Sequence, residues 1–217
     1  MNKFTLTAAA AAAAVAFAAA MPAQAATLLG VKVGADAWLT SGKTDFTSNS
    51  VDAEDKTMGT YHIAFEHFIP LVPNARIRYS EVDNGTVSFN QMDYTAYYEI
   101  LDNDAVALDL GVVMSKFNAG EFAGQSFSEW QPAVYGAGEI GIPMTPVAAF
   151  GDLTYGTYND TKTVDAQIGV KWTLPLIIDL NLRAGYRVMD HDFAFINGYN
   201  SVKVKNDGWF LGVEVDI

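Results

Sequence analysis

Three histidines and no cysteine limit the chemistry open to this chain. Without a thiol there is no cysteine nucleophile, no thiolate metal ligand and, in an exported chain, no disulfide staple. Asp190-His191-Asp192 is the only local cluster of acids and histidine. Such a trio could activate a water as general base, but consecutive residues of a strand point to opposite faces and cannot converge. It is expected to lie solvated at the start of a loop, or to hold no more than an adventitious cation. His62 and Glu66 share one face of an extended segment, yet their spacing of roughly 13 Å is too wide for a single metal ion. No glycine-rich phosphate loop or serine elbow occurs. No catalytic, cofactor-binding or metal-ligating residue is therefore assigned.

The remaining candidates are charges, and their positions follow from a period of two. Val31, Val33, Ala35, Ala37 and Leu39 alternate with Lys32, Gly34 and Asp36. Leu180, Leu182, Ala184, Tyr186 and Val188 alternate with Asp179, Asn181, Arg183, Gly185 and Arg187. The same alternation puts Lys32, Asp36, Glu66, Arg76, Arg78, Asp93, Glu99, Asp109, Glu139, Asp165, Lys171, Asp179, Arg183, Arg187 and Glu214 on polar faces. The pattern predicts ten strands, at about 28–40, 57–69, 75–82, 89–101, 105–117, 130–142, 147–158, 163–174, 178–189 and 208–217. The stretches 130–142 and 147–158 carry the weakest pattern, interrupted by Pro132, Gly136, Gly138, Gly141 and Gly151, so eight strands is the alternative. Short turns at 70–74, 102–104, 143–146 and 175–177 are expected to alternate with connections that include long loops at 41–56, 118–129 and 191–207. That rhythm suits an antiparallel up-and-down barrel.

The N-terminus fixes the compartment. Lys3, an alanine-rich apolar stretch from Leu6 to Ala20 and the small residues Ala23 and Ala25 read as a signal peptide over residues 1–25, cleaved between Ala25 and Ala26. The stretch is too short and too poor in Leu and Ile for a membrane helix, and residues 26–217 hold no apolar run long enough for one. Lys3 is the only charge in residues 1–25, so residues 26–217 keep all 25 acids of the chain and are more acidic than its net charge of −12. That balance argues against nucleic acid. No linker divides residues 26–217, which are expected to form one all-β domain.

Membrane and soluble barrels both alternate, and the glycines separate them. Gly34, Gly111, Gly169, Gly185 and Gly212 fall on the polar faces, where a narrow lumen needs small residues. A solvent-facing strand would be weakened by them. Mid-strand apolar positions carry no charge, as a lipid face requires. Aromatic residues collect at strand ends: Trp38, Tyr61, Tyr79, Trp130, Tyr155, Tyr186 and Trp209 towards the long-loop side, and Phe65, Phe68, Tyr98 and Trp172 towards the other. These read as two interfacial girdles. The run Phe193, Phe195, Ile196 and Tyr199 is expected to extend a strand above the membrane.

The opening Leu28-Leu29-Gly30-Val31-Lys32-Val33-Gly34, the strand-turn rhythm and a final strand bearing Trp209, Leu211, Val213, Val215 and Ile217 resemble the small outer-membrane β-barrel proteins of Gram-negative bacteria. Such strands usually end in an aromatic residue, and Ile217 departs from that. The resemblance implies a location and a fold, with outer-membrane lipid, lipopolysaccharide and the barrel-assembly machinery as partners, and no activity. An omptin-like protease barrel also sets Asp and His near its rim, but this chain is short for that family and offers no second acidic pair. Two roles remain: a structural or surface-interacting barrel whose lumen is filled by the charged network, or a narrow channel for ions or small hydrophilic solutes. A lipid-modifying or proteolytic enzyme is a distant third.

Overall fold

The computed structural model describes residues 29–217 except 48, 68, 70, 103, 104, 177 and 197. The expected signal peptide, its cleavage point between Ala25 and Ala26, and the girdle residue Phe68 lie outside the described residues. The strands are β1 (Leu29–Phe46), β2 (Asn49–Asp52), β3 (Lys56–His67), β4 (Asn74–Asp83), β5 (Val87–Asp102), β6 (Val106–Phe122), β7 (Gln125–Gly141), β8 (Val147–Tyr158), β9 (Thr161–Pro175), β10 (Asp179–Phe193) and β11 (Val202–Asp216). All pairings are antiparallel, and β11 returns to β1 from Lys32↔Asp216 to Phe46↔Val202. The short β2 is a flap paired to the end of β1. Ten strands thus close a transmembrane barrel, and the alternative of eight is set aside. Pro132 lies just beyond the end of the β7–β8 ladder at Val134↔Tyr155, so it interrupts no rung on that side.

Where long loops were expected, most of the chain is strand. β1 runs to Phe46, β6 to Phe122, β7 starts at Gln125 and β11 at Val202. Ala123-Gly124 and Asn159-Asp160 are two-residue hairpin turns with positive φ at every central position (49°, 75°, 47° and 60°), matching the twist of the strands they join. The contrast between the barrel's two ends lies in strand overhang rather than in loop length.

These overhangs escape a pattern search for lipid-facing residues because their polarity is reversed. In the lower part of β11, Leu211 and Val213 face out while Glu214 and Asp216 face in. In its upper part Val202 and Val204 are buried inside while Lys203 and Lys205 face out. β10 inverts between Val188 and Asp190, and β5 between Asn90 and Tyr94. Apolar side chains lead outward inside a lipid belt and inward above it, where water replaces lipid. The belt is fully presented: Ile168 is 70% exposed and Leu211 62%. Tyr61, Tyr79, Trp130, Tyr155, Tyr186 and Trp209 face outward, with ring contacts Tyr61–Tyr79 at 6.3 Å and Tyr186–Trp209 at 5.3 Å. Trp38 corrects the expected girdle, because it points inward and is 1% exposed.

The five inward glycines expected from the sequence, Gly34, Gly111, Gly169, Gly185 and Gly212, follow one rule: each lies, alone or with a neighbouring glycine, between two large side chains that meet above it. Asp36, Gly212 and Arg183 are consecutive cross-strand partners on β1, β11 and β10, and Arg183 donates to Asp36 across the glycine. His62, Gly34 and Glu214 repeat the arrangement on β3, β1 and β11, with a 2.8 Å hydrogen bond. Gly111 lies beneath the Tyr97–Tyr135 contact, and Gly169 and Gly185 beneath Phe150–Phe210. A Cβ on Gly212 would stand 1.9 Å from Asp36 Oδ1, so no side chain is tolerated without breaking the pair. Gly212→Ala is expected to lower stability by about 1–3 kcal/mol, the cost of overpacking. Loss of the compact form on heating, followed by gel mobility, checks this, with the outward Val213→Ala as a control of small effect.

Candidate functional site in the lumen

All fifteen charges assigned to the polar faces lie on the inward side of their strands, with Glu99 and Asp179 exposed at the rim near the termini. The structure brings most of them together in pairs that span strands far apart in sequence. At the centre, Asp165 of β9 accepts from Arg187 Nε at 2.8 Å and from Arg187 Nη2 at 2.7 Å. It also accepts from Arg78 Nη2 of β4, on the far side of the barrel, at 2.5 Å. Arg78 further donates to Asp93 at 2.9 Å and to Asp152 at 3.3 Å, and Arg187 to Thr60 and Ser80. Gln91 and Ser115 fill the remaining acceptor sites of Asp93. Three carboxylates thus hold two guanidiniums in a core where Asp165 is 1% and Arg187 2% exposed. The bonds are charge-assisted, and Arg187 holds Asp165 bidentately, which is what a buried charge needs in place of water.

Towards the termini the network thins to Lys32–Glu66 at 2.7 Å, Lys171–Glu139 at 2.6 Å, and a linked set in which Arg183 lies 3.3 Å from Asp36 and 3.9 Å from Glu214, itself 2.8 Å from His62. Here the lumen opens into a cavity of about 140 Å³, lined among others by Arg76, Asp109 and Tyr135. His62 and Glu66, considered together in the sequence, take different partners, Glu214 and Lys32. Asp152 was missed because Gly151 interrupts the period of two in β8, although its alternation with Phe150 and Thr154 marks the inner face.

Above the charged knot the lumen is apolar. Phe89, Phe117, Phe122, Phe127 and Phe193 form an edge-to-face cluster with Met58, Val82, Val87, Met189, Ile196, Val202 and Val204. Phe193, Phe195, Ile196 and Tyr199 join this cap instead of standing above it as an extended strand. The expectation for Asp190-His191-Asp192 is likewise corrected. His191 is fully buried within β10, its Nε2 bonded to Gln91 Oε1 at 3.1 Å, while the two aspartates face outward. The trio is split by the pleat, and only the histidine enters the barrel.

Two outcomes follow from this arrangement. Asp165→Asn leaves two buried guanidiniums short of charge, and is expected to cost about 3–5 kcal/mol in denaturant unfolding from micelles, whereas Asp190→Asn, on the outer surface, has little effect. His191 lies beyond the apolar belt, and burial among Phe89, Phe117 and Phe193 pushes its imidazole down to about 4, despite the nearby Asp165 and Asp93 carboxylates. Because the folded value lies below the ordinary 6.5, the unfolded cap takes up a proton that the folded cap refuses. The cap therefore keeps full stability above about pH 6.5 and loses it as the pH falls towards about 4. Hydrogen exchange at the ends of β10 and β11, corrected for intrinsic rate, should speed up between pH 7.5 and 5 in the wild type and not in His191→Phe.

No protein-family model matches the chain, and no curated protein matches it. Among solved structures it is similar to neisserial surface protein A, at 17% identity and a TM-score of 0.38, over 85% of this chain and 96% of that one. It is similar to the outer membrane protease OmpT from Escherichia coli at 8% identity and a TM-score of 0.37, over 86% and 96%. A third likeness is to Ail, the attachment invasion locus protein of Yersinia pestis, at 13% identity and a TM-score of 0.31, over 87% and 99%. These likenesses are of fold and extend to no activity.

Proposed function

We propose that this chain is an integral outer-membrane protein of a Gram-negative bacterium, with a structural or surface-interaction role and a lumen that conducts nothing. The reversal of polarity along strands such as β5, β10 and β11 carries the reading. Below the reversal an unbroken apolar belt circles the barrel, far more exposed apolar surface than a soluble protein carries. Above it a charged collar including Lys43, Asp45, Asp190, Asp192, Lys203 and Lys205 surrounds an aromatic core. A rigid stub of this kind presents a fixed surface beyond the lipid. Its ion pairs, such as Lys43–Asp45 at 3.4 Å, are exposed and add little stability, so their charges are available to partners.

In this orientation both termini face the periplasm. Lipid contacts the belt, lipopolysaccharide contacts the girdle and collar, and the barrel-assembly machinery inserts the chain. The arginine–carboxylate knot and the aromatic cap lie in series, and a hydrated ion would have to displace both. The channel reading has only the cavity near the termini in its favour, and no catalytic step is assigned to any residue.

The test is single-channel recording of the refolded, heat-modifiable protein in planar bilayers, beside Arg183→Ala/Arg187→Ala. The wild type is expected to be silent. Stable discrete openings whose ion selectivity changes in the double variant would replace this reading with that of a channel.

A further inference from the structure

The cavity near the termini contains two charges that the pairing scheme leaves over. Among the described residues, Arg76 is the only lumen guanidinium with no carboxylate within 4.0 Å, since Arg78, Arg183 and Arg187 each have at least one. Its Nη1 donates to the Tyr135 hydroxyl at 2.9 Å, and its Nε is buried without an acceptor. Tyr135 Oη receives that bond and keeps its own proton to give. On the same cavity lies Asp109, with no hydrogen-bond or ion-pair partner among the described residues. Its cross-strand neighbours are Glu99 and Ala137, neither of them basic. His62, 6% exposed, lines the cavity too, and its Nδ1 has no partner.

Leaving opposite charges unpaired in one enclosed space is costly, and water alone compensates them poorly in a narrow, low-dielectric lumen. A simple anion would satisfy Arg76 but would sit in the field of Asp109. A simple cation would do the reverse. A molecule carrying both charges neutralises each and adds no net charge to the cavity.

We propose that this vestibule binds a small zwitterion, an amino acid or short ω-amino acid, with its carboxylate on Arg76 and Tyr135 and its ammonium on Asp109. The cavity of about 140 Å³ suits such a solute, because in the same measure a single water needs about 10–15 Å³. Entry is from the end where the termini lie, since knot and cap close the other side. The site does not depend on the lumen being closed throughout: conductance reports on closure, and binding reports on the vestibule.

The experiment is calorimetric titration of the refolded protein in micelles with glycine, β-alanine and 6-aminohexanoate, a series that varies the distance between the charges, and with acetate and methylammonium as single-charge probes. At least one zwitterion should bind saturably and at least tenfold more tightly than either single-charge probe. Arg76→Gln should abolish binding of every carboxylate-bearing probe. Asp109→Asn should reduce the zwitterion to the level of acetate, with folding of both variants verified by heat-modifiability. No saturable binding by any zwitterion, acetate equal to the best zwitterion, or an unchanged affinity in either folded variant would each overturn the proposal.

Discussion

Asp165 is the carboxylate on which the interior depends. It neutralises Arg187 from the adjacent strand and Arg78 from the opposite wall, so one side chain ties the barrel across its diameter. The packed centre of the lumen leaves no room for the water that would solvate an unpaired guanidinium, so every charge of the central knot must find a partner by reaching across the sheet. Reaching across requires that the residue between be small. Hence the glycines: Gly212 beneath Arg183–Asp36 and Gly34 beneath His62–Glu214 make room for pairs that skip a strand. The same pairs fix strand register, because a slip by one residue would turn both charge and glycine to the lipid side.

Above the knot a different force takes over. The cap is a hydrophobic core of the kind found in soluble proteins, built on Phe89, Phe117 and Phe193 and shielded from water by the strands' own backbones. Its outward residues are charged because water, not lipid, surrounds it. A single strand such as β10 therefore serves two solvents, with Arg183 and Arg187 inside and Leu182 and Ala184 outside below, and Phe193 inside and Asp192 outside above. His191 lies just above the join, between the Gln91 amide and the aromatic rings, where burial keeps it neutral.

The alternation of apolar and polar residues made the strands legible one by one, including the inward side of every charge named from sequence. The inner glycines were legible as signs of a crowded lumen, although which side chains met above them was not. The reversal of polarity was the blind spot. Residues 41–46, 118–122, 125–129 and 202–207 were read as loop because their apolar members no longer matched a lipid-facing pattern, and they are strand. Trp38 was placed in a girdle by its distance along β1, but parity with Asp36 places it inside. His191 was assigned to solvent by its acidic neighbours, which the pleat sends the other way.

The sequence by itself thus determined the fold class and the inward face of the charges assigned to the polar sides, because a period of two is a local property of consecutive residues and needs no partner to be read. It also marked Arg183, Arg187 and Asp165 as inward charges. Only the tertiary structure decided that ten strands close, that Arg78 and Arg187 share Asp165, that aromatic residues from β5, β6, β7 and β10 seal one end, and that Arg76 and Asp109 are left facing one cavity. Those outcomes depend on which residues lie opposite one another around a closed circle. That is set by the register of every strand pair at once and by no single segment of the chain.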